Sequence, residues 1–167
     1  MRNLKKILAL VLALVMSMSL MATANAFTDD ANVDATYDEA VTVLSNLKVF
    51  QGYDDGSFQP KGSITRAEVA AIIYRIATGD VTDSQKDIYA DYNKFDDVKS
   101  TSWYAGYVNY CANAEYIKGY DAKTFGGSDS VTAAQAALMM LKALGYFQYQ
   151  SDFGDSWELD CSDCRCW

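Results

Sequence analysis

The residue in this sequence best equipped for chemistry is Arg66. It stands between Thr65 and Glu68, and Thr-x-x-Glu is a capping box that predicts a helix beginning at Thr65. An arginine in the first turn of a helix sits where backbone N–H groups and the helix dipole already favour an anion. Its planar guanidinium can take a carboxylate through two parallel hydrogen bonds, a geometry lysine does not match. The competing reading is a solvated first-turn side chain paired with a neighbouring acid. Catalysis is poorly provided for. The 167 residues include no histidine, which removes Ser–His and Cys–His nucleophiles and most general bases that work near neutral pH. The loop Tyr53-Asp54-Asp55-Gly56 invites a calcium reading. With Gly56 as the sixth position of an EF-hand, however, the twelfth falls on Gly62, and the bidentate acid is missing. The expectation is a binding protein that is not an enzyme, with no cofactor and no metal site.

Charge narrows the partner. Asp and Glu number 22 against 14 Lys and Arg, a formal net charge of -8, whereas proteins that hold nucleic acid show a basic footprint. No nucleic-acid partner is expected. The N-terminus biases the count. Arg2, Lys5 and Lys6 precede an apolar run from Ile7 to about Met16, and Ala24-Asn25-Ala26 matches the small-x-small site of a signal peptidase. The run is short for a membrane span of roughly 20 residues. Residues 1–26 are therefore expected to be a signal peptide, and the mature chain to be secreted, more acidic than its precursor and without membrane contact.

The elements that must position Arg66 are repeated. At an offset of 67 residues Gly52-Tyr53-Asp54 falls on Gly119-Tyr120-Asp121, Phe58 on Phe125, Thr65 on Thr132 and Ala70 on Ala137, without a gap. The same offset lays Asp29-Asp30 on Asp96-Asp97 and Tyr37 on Tyr104. Each copy reads as helix, glycine-containing loop, helix. The first helix shows an apolar stripe at Tyr37, Ala40, Val41, Leu44 and Leu47, answered by Tyr104, Tyr107, Val108, Cys111 and Ala114. The second shows Val69, Ile72, Ile73 and Ile76, answered by Ala136, Met139, Met140 and Ala143 behind the capping pair Thr132 and Gln135. Neither copy buries its apolar faces alone, so the two should pack side by side. The expected fold class is mainly α, two helix–loop–helix units with short or no strands. Residues 27–78 and 95–145 hold the units, 79–94 is a polar linker or an embellishment of the first, and 146–167 is a C-terminal tail.

Taken in order, Phe27-x-Asp29, Gly52-Tyr53-Asp54-Asp55-Gly56-Ser57-Phe58-x-Pro60 and Ile64-Thr65-Arg66-Ala67-Glu68 resemble an S-layer homology (SLH) repeat. The second copy is similar, with Phe95-Asp96-Asp97-Val98, Trp103-Tyr104, Gly119-Tyr120-Asp121, Phe125 and Val131-Thr132-Ala133-Ala134-Gln135. The resemblance implies noncovalent anchoring of a bacterial surface protein to the cell wall. The ligand it implies is a secondary cell-wall polysaccharide that often carries pyruvate ketals, held in grooves between three repeats of a pseudo-trimer. It also implies a location in the cell wall or surface layer. On that basis the polysaccharide-binding residues are Thr65, Arg66, Gly52, Asp54, Trp103, Gly119 and Asp121, with Arg66 facing a pyruvyl carboxylate. The alternative is a structural repeat module that contacts other surface-layer chains.

The second copy departs from the first at telling places. Ala133 stands where the first has Arg66, and Gln135 where it has Glu68, so the cap survives and the cation is lost. Trp103 stands where the first has Thr36, and reads either as ordinary core or as an aromatic platform for a sugar. Cys111, equivalent to Leu44, reads as a small buried hydrophobe. Cys161, Cys164 and Cys166 form C-x-x-C-x-C. A zinc site wants four ligands, commonly with a second pair at a distance, and no histidine can contribute. A redox-labile tail is the better reading. Phe153-Gly154-Asp155 with Trp157 hints at the start of a third copy, so the chain is expected to be a truncated piece of a longer surface protein.

Overall fold

The computed structural model describes residues 27–146. The expected signal peptide, the cysteine cluster and the hint of a third copy lie outside these residues. Four α-helices follow one another: α1 (Asp38–Asn46), α2 (Arg66–Thr78), α3 (Ala105–Asn113) and α4 (Ala133–Ala143), with 3₁₀ segments at Asp30–Asn32 and Lys86–Tyr92. Among the described residues no strand forms, and Thr65 and Ser130 make an isolated antiparallel bridge. The architecture is mainly α, two helix–loop–helix units side by side.

Local chemistry explains the helix starts. The Thr65 hydroxyl accepts from the Glu68 N–H at 3.3 Å while the Glu68 carboxylate accepts from the Thr65 N–H at 2.7 Å. Thr132 and Gln135 repeat the exchange at 3.2 and 3.0 Å. Each box satisfies two backbone donors that a helix would otherwise leave open. The end of α2 is set by Gly79, whose φ of 70° places it in the left-handed conformation while its N–H donates to the Arg75 carbonyl.

An aspartate ties each unit's loop to its beginning. Asp29 accepts from the N–H groups of Phe58 and Gln59 at 2.7 and 2.8 Å, and Asp97 accepts from those of Phe125 and Gly126, both at 2.8 Å. Phe27 stacks on Phe58 at 5.2 Å as Phe95 meets Phe125 at 5.5 Å. These contacts equate Asp29 with Asp97 and Phe27 with Phe95, an offset of 68. They correct the ungapped pairing of Asp29-Asp30 with Asp96-Asp97. The first unit carries one extra residue between Asp29 and Tyr37, absorbed around the 3₁₀ turn Asp30–Asn32. Because the second copy has two adjacent aspartates, the wrong register also looked like a match.

The core centres on α2, which packs against both α3 and α4. Val69, Ala70, Ile73 and Tyr74 are at most 1% exposed, and Val108, Cys111, Ile117 and Phe125 close around them. The Cys111 thiol donates to the Ala70 carbonyl at 3.5 Å, and burial pushes it well above the usual thiol range, as suits an inert core residue. The two first helices differ. Of the stripe expected on α1, Val41 is buried and Leu44 half-buried, but Tyr37 is 63% and Leu47 58% exposed. On α3, Tyr107, Val108 and Cys111 are buried. The reason is packing: α3 has α2 on one side and Lys86–Tyr92 on another, while α1 has no helix laid across it.

The segment 79–94 is thus an integral layer over the second unit's first helix. Two residues of α3 admit it. At Gly106 a Cβ would stand 2.1 Å from the Lys86 carbonyl oxygen. Asn109, 1% exposed, donates to the Tyr89 and Ala90 carbonyls at 3.0 and 3.1 Å and accepts from the Lys94 N–H at 3.3 Å. The matching positions of α1 are Glu39 and Thr42, and nothing crosses there. The segment's approach is fixed by Asp80, which accepts from the Tyr74 hydroxyl at 3.0 Å and the Gln85 N–H at 2.8 Å. Gly106→Ala is therefore expected to push the segment off α3 and cost about 2 kcal/mol, measured by denaturant unfolding. Glu39→Ala, at the equivalent open position, should change stability by less than about 0.5 kcal/mol.

Candidate functional site

Arg66 occupies the first position of α2, but its residue is only 2% exposed. The guanidinium turns into the second unit, where Nε donates to the Phe125 carbonyl at 2.8 Å and Nη2 to the Lys118 carbonyl at 2.7 Å. The rings of Tyr120 and Phe125 lie 4.6 and 4.7 Å from its Cζ. The helix end is taken up as well. The Arg66 N–H donates to the Asp129 carbonyl at 2.9 Å, the Ala67 N–H to the Gly127 carbonyl at 3.0 Å, and the Glu68 N–H to Thr65. A helix-end anion site needs open N–H groups and an accessible cation. Here both are engaged between the units, and the geometry makes Arg66 an interlock with Thr65 as its cap.

The loop residues of the second unit also have structural work. A Cβ on Gly119 would stand 2.4 Å from the Thr124 carbonyl. Asp121 accepts from the N–H groups of Lys123 and Thr124 at 2.7 and 2.8 Å, and these bonds, Lys123's first, hold its carboxyl below the usual range. Both residues line a concavity of about 430 Å³ beside Lys94 and Glu115.

Gly52, Asp54 and Trp103 are brought together. They line an open groove of about 820 Å³ bounded by the first unit's loop, α2, and the start of α3. Trp103 is 57% exposed and rests edge-on against Tyr104 and Tyr107 at 5.5 and 6.2 Å, so it lies at the surface and not in the core. Gly52 has a φ of 71°, and a Cβ there would meet the Phe27 ring at 2.5 Å. Only glycine lets the loop fold this closely against the phenylalanine.

The groove floor is a polar network that joins four segments of the chain. Arg75, 8% exposed, takes Asp83 in a fork, Nε to Oδ1 at 2.9 Å and Nη2 to Oδ2 at 2.8 Å. Its Nη2 also reaches Gln51 Oε1 at 3.0 Å and the Tyr107 hydroxyl at 3.4 Å. Burial by itself would raise the Asp83 pKa, but hydrogen bonds from Arg75 and Tyr107, with the Arg75 charge, outweigh it and lower it. Burial, then the bond to Asp83, pushes the Tyr107 phenol up to about 12. Burial and the neighbouring Glu68 carboxylate raise Tyr53 likewise. Arg75, Asp83, Lys86 and Tyr107 were not expected at the site. Lys86 and Asp83 belong to the polar segment 79–94, which has no helical period to mark its buried face.

With this geometry in view, comparison with known proteins is specific. The S-layer homology domain matches residues 26–70 and 94–137, together more than half of the chain. The chain belongs to the S-layer homology domain family. It is 36% identical over 141 residues to the middle cell wall protein of Brevibacillus brevis and 35% identical over 146 residues to a surface layer protein of Brevibacillus choshinensis. These alignments cover 84% and 85% of this chain but 13% of each relative. It is also 32% identical over 94 residues to a cellulosome-anchoring protein of Acetivibrio thermocellus, covering 56% of this chain and 20% of that protein. No solved structure matches it significantly. The family and these relatives place the chain among bacterial cell-surface proteins, and no helix among the described residues is long and apolar enough to cross a membrane.

Two outcomes follow from the buried arginines. Arg66→Ala leaves two carbonyls without their donor and should cost about 3 kcal/mol in denaturant unfolding, with Arg66→Lys recovering only part. An unchanged midpoint would return Arg66 to a ligand-binding role. Asp83 has its pKa lowered by folding, so its stabilisation is complete above the unfolded carboxylate pKa of about 3.9 and is lost as pH falls below it. Between pH 6 and pH 3 the melting temperature of the natural protein should therefore fall by about 3 °C more than that of Asp83→Asn.

Proposed function

We propose that this chain anchors a surface protein noncovalently to the bacterial cell wall by holding a secondary wall polysaccharide in the groove between its two units, with a pyruvate-ketal-bearing sugar as the preferred residue. The observation that carries the reading is the exposed indole of Trp103 lining, together with the loop Gly52–Asp54, one open groove of about 820 Å³. A space of that size accommodates a short stretch of glycan. An exposed aromatic face packs against the apolar C–H side of a pyranose, and polar groups at the rim take its hydroxyls. Asp54 supplies an acceptor, and Gly52 shapes the loop that presents it. Thr65, Arg66, Gly119 and Asp121 act at one remove, by fixing the units and their loops. Family membership and the names of the relatives, a middle cell wall protein and a cellulosome-anchoring protein, support the same reading.

The test is co-sedimentation of the mature protein with purified wall sacculi before and after chemical removal of the secondary polymer. Retention should be lost with the polymer, and Trp103→Ala should weaken it roughly tenfold without changing the circular dichroism spectrum. Retention indifferent to the polymer would overturn the proposal.

A further inference from the structure

We propose that a row of aromatic side chains carries a one-electron oxidising equivalent from Trp103 across the second unit to Tyr92, whose exposed phenol is where it ends in a tyrosine–tyrosine cross-link. Centroid to centroid, Trp103 stands 6.2 Å from Tyr107, Tyr107 5.3 Å from Tyr74, and Tyr74 5.1 Å from Tyr110. The row continues 5.0 Å to Tyr89 and 5.7 Å to Tyr92. All five distances are those of packed aromatic pairs, so an electron hops only between neighbours in contact. The row begins and ends in solvent, with Trp103 57% and Tyr92 59% exposed, and passes through Tyr74 and Tyr107, at most 2% exposed. Its spacing follows from the elements. Tyr107 and Tyr110 are three apart on α3, and Tyr89 and Tyr92 three apart in the 3₁₀ segment, so each pair shares a face. The repeated unit does not require these rings. Thr36, Ala40 and Val43 hold the places of Trp103, Tyr107 and Tyr110 in the first unit, and Leu141 holds that of Tyr74 in the second.

The buried steps have proton acceptors. A phenol oxidised at neutral pH loses its proton with its electron, because the oxidised phenol is a far stronger acid than a carboxylic acid. The Tyr74 hydroxyl donates to Asp80 Oδ2 at 3.0 Å, and the Tyr107 hydroxyl is bonded to Asp83. Both aspartates are held ionised. The Gln85 N–H, first among several donors, keeps the Asp80 carboxyl well below its usual range, and at Asp83 the bonds from Arg75 and Tyr107 outweigh burial. Each proton therefore shifts to its aspartate as the electron leaves and returns when the ring is refilled. Arg75 and Lys86, 5.5 and 5.1 Å from the Tyr107 ring centroid, oppose a charged radical there, so the hole passes as a neutral phenoxyl. The electrons balance. A peroxyl-class radical in the medium takes one electron from Trp103 and becomes its anion, and the indole releases its N–H proton to water. Tyr107 then refills the indole, which regains a proton, and each phenol refills the one before it until the loss rests on Tyr92, whose proton goes to water. Phenol is easier to oxidise than indole under these conditions, so the first hop runs downhill. Two Tyr92 phenoxyls from two chains form one C–C bond, and the two ring hydrogens at that bond move to the phenolic oxygens. The hops are reversible and the bond is not, so coupling drains the row. Tyr104 and Tyr116 touch the row at 5.5 and 6.4 Å but lead to no further ring among the described residues.

The test uses the mature protein carrying Trp157→Phe and Trp167→Phe, which leaves Trp103 as its sole indole. Azidyl radicals made by pulse radiolysis attack indole ahead of phenol at neutral pH. Tryptophanyl absorption should decay into tyrosyl absorption at a rate independent of protein concentration, and peptide mass spectrometry should find the cross-link at Tyr92. Trp103→Phe should abolish that product. Tyr107→Phe and Tyr89→Phe each keep a ring in place and remove the oxidisable phenol, and each should abolish it too, whereas Tyr104→Phe, off the row, should leave it intact. Tyr89 stands outside the Arg75–Asp83 network, so its variant decides the matter where Tyr107→Phe alters the circular dichroism spectrum. A Tyr92 product that survives Trp103→Phe or Tyr89→Phe, or cross-links that form at other tyrosines and not at Tyr92, would overturn the proposal.

Discussion

The arrangement of the two units turns on one guanidinium held between them. Moving an arginine out of water carries a desolvation penalty of several kcal/mol, and Arg66 meets no carboxylate among the described residues that could offset it. It is compensated by two carbonyl oxygens and the faces of two aromatic rings, all from the second unit's loop. Guanidinium tolerates this setting better than ammonium does, being planar, more weakly hydrated and able to direct separate N–H groups at separate acceptors. The contact is also directional, because carbonyls 52 and 59 residues downstream must both be in place. Together with the backbone bonds from Arg66 and Ala67 to Asp129 and Gly127, it allows one register between the units. The groove, whose walls come from both, inherits its shape from that register.

Equivalent positions then do unequal work, and the inequality creates the site. Glu39, Ala40 and Thr42 on α1 correspond to Gly106, Tyr107 and Asn109 on α3. The first three are exposed or half-buried; the second three are buried beneath the polar segment. Replacing a long acid by glycine opens a slot for backbone, and replacing threonine by asparagine supplies two donors to the carbonyls that enter it. Once Lys86–Tyr92 lies across α3, Tyr107 is enclosed enough to bond the Arg75–Asp83 pair through its hydroxyl. Its ring is left to support Trp103 and Lys86. A duplicated unit has been turned into an asymmetric pair by a handful of side chains on one helix.

The sequence displayed those parts of this plan that are local. Capping boxes, helical stripes and glycine loops depend on neighbours within a few residues, and the helices at Arg66–Thr78 and Ala133–Ala143 begin where Thr65 and Thr132 said they would. The mainly helical fold and the family were legible on the same grounds. The role of Arg66 was not, because its partners lie in another unit and a first-turn arginine looks alike whether it faces solvent or a neighbour. The offset of 67 residues misplaced Asp29 for a related reason: the side chain's true partners, the Phe58 and Gln59 amides, are about 30 residues away. The 79–94 segment was opaque because a 3₁₀ turn has too little periodicity to betray its buried side. Trp103 carried a real signal, an aromatic where the sister unit has threonine, but nothing local separated a core position from an exposed one.

An acidic domain that is to hold an acidic polymer would have to do so against its own field. With 22 acidic side chains to 14 basic, long-range attraction cannot steer such a ligand inward, and at physiological salt charges more than about 8 Å apart are largely screened. On the reading proposed here, recognition is short-range: an indole for the sugar ring, and polar groups at the groove rim for its hydroxyls. The negative surface then has a use of its own, discouraging loose attachment of anionic polymers that do not fit the groove. Selectivity of this kind combines a repulsive net charge with short-range contacts inside one groove. The withdrawal of Arg66 and the neutralisation of Arg75 matter to the site because neither leaves an unmatched guanidinium at the surface to hold anions indiscriminately.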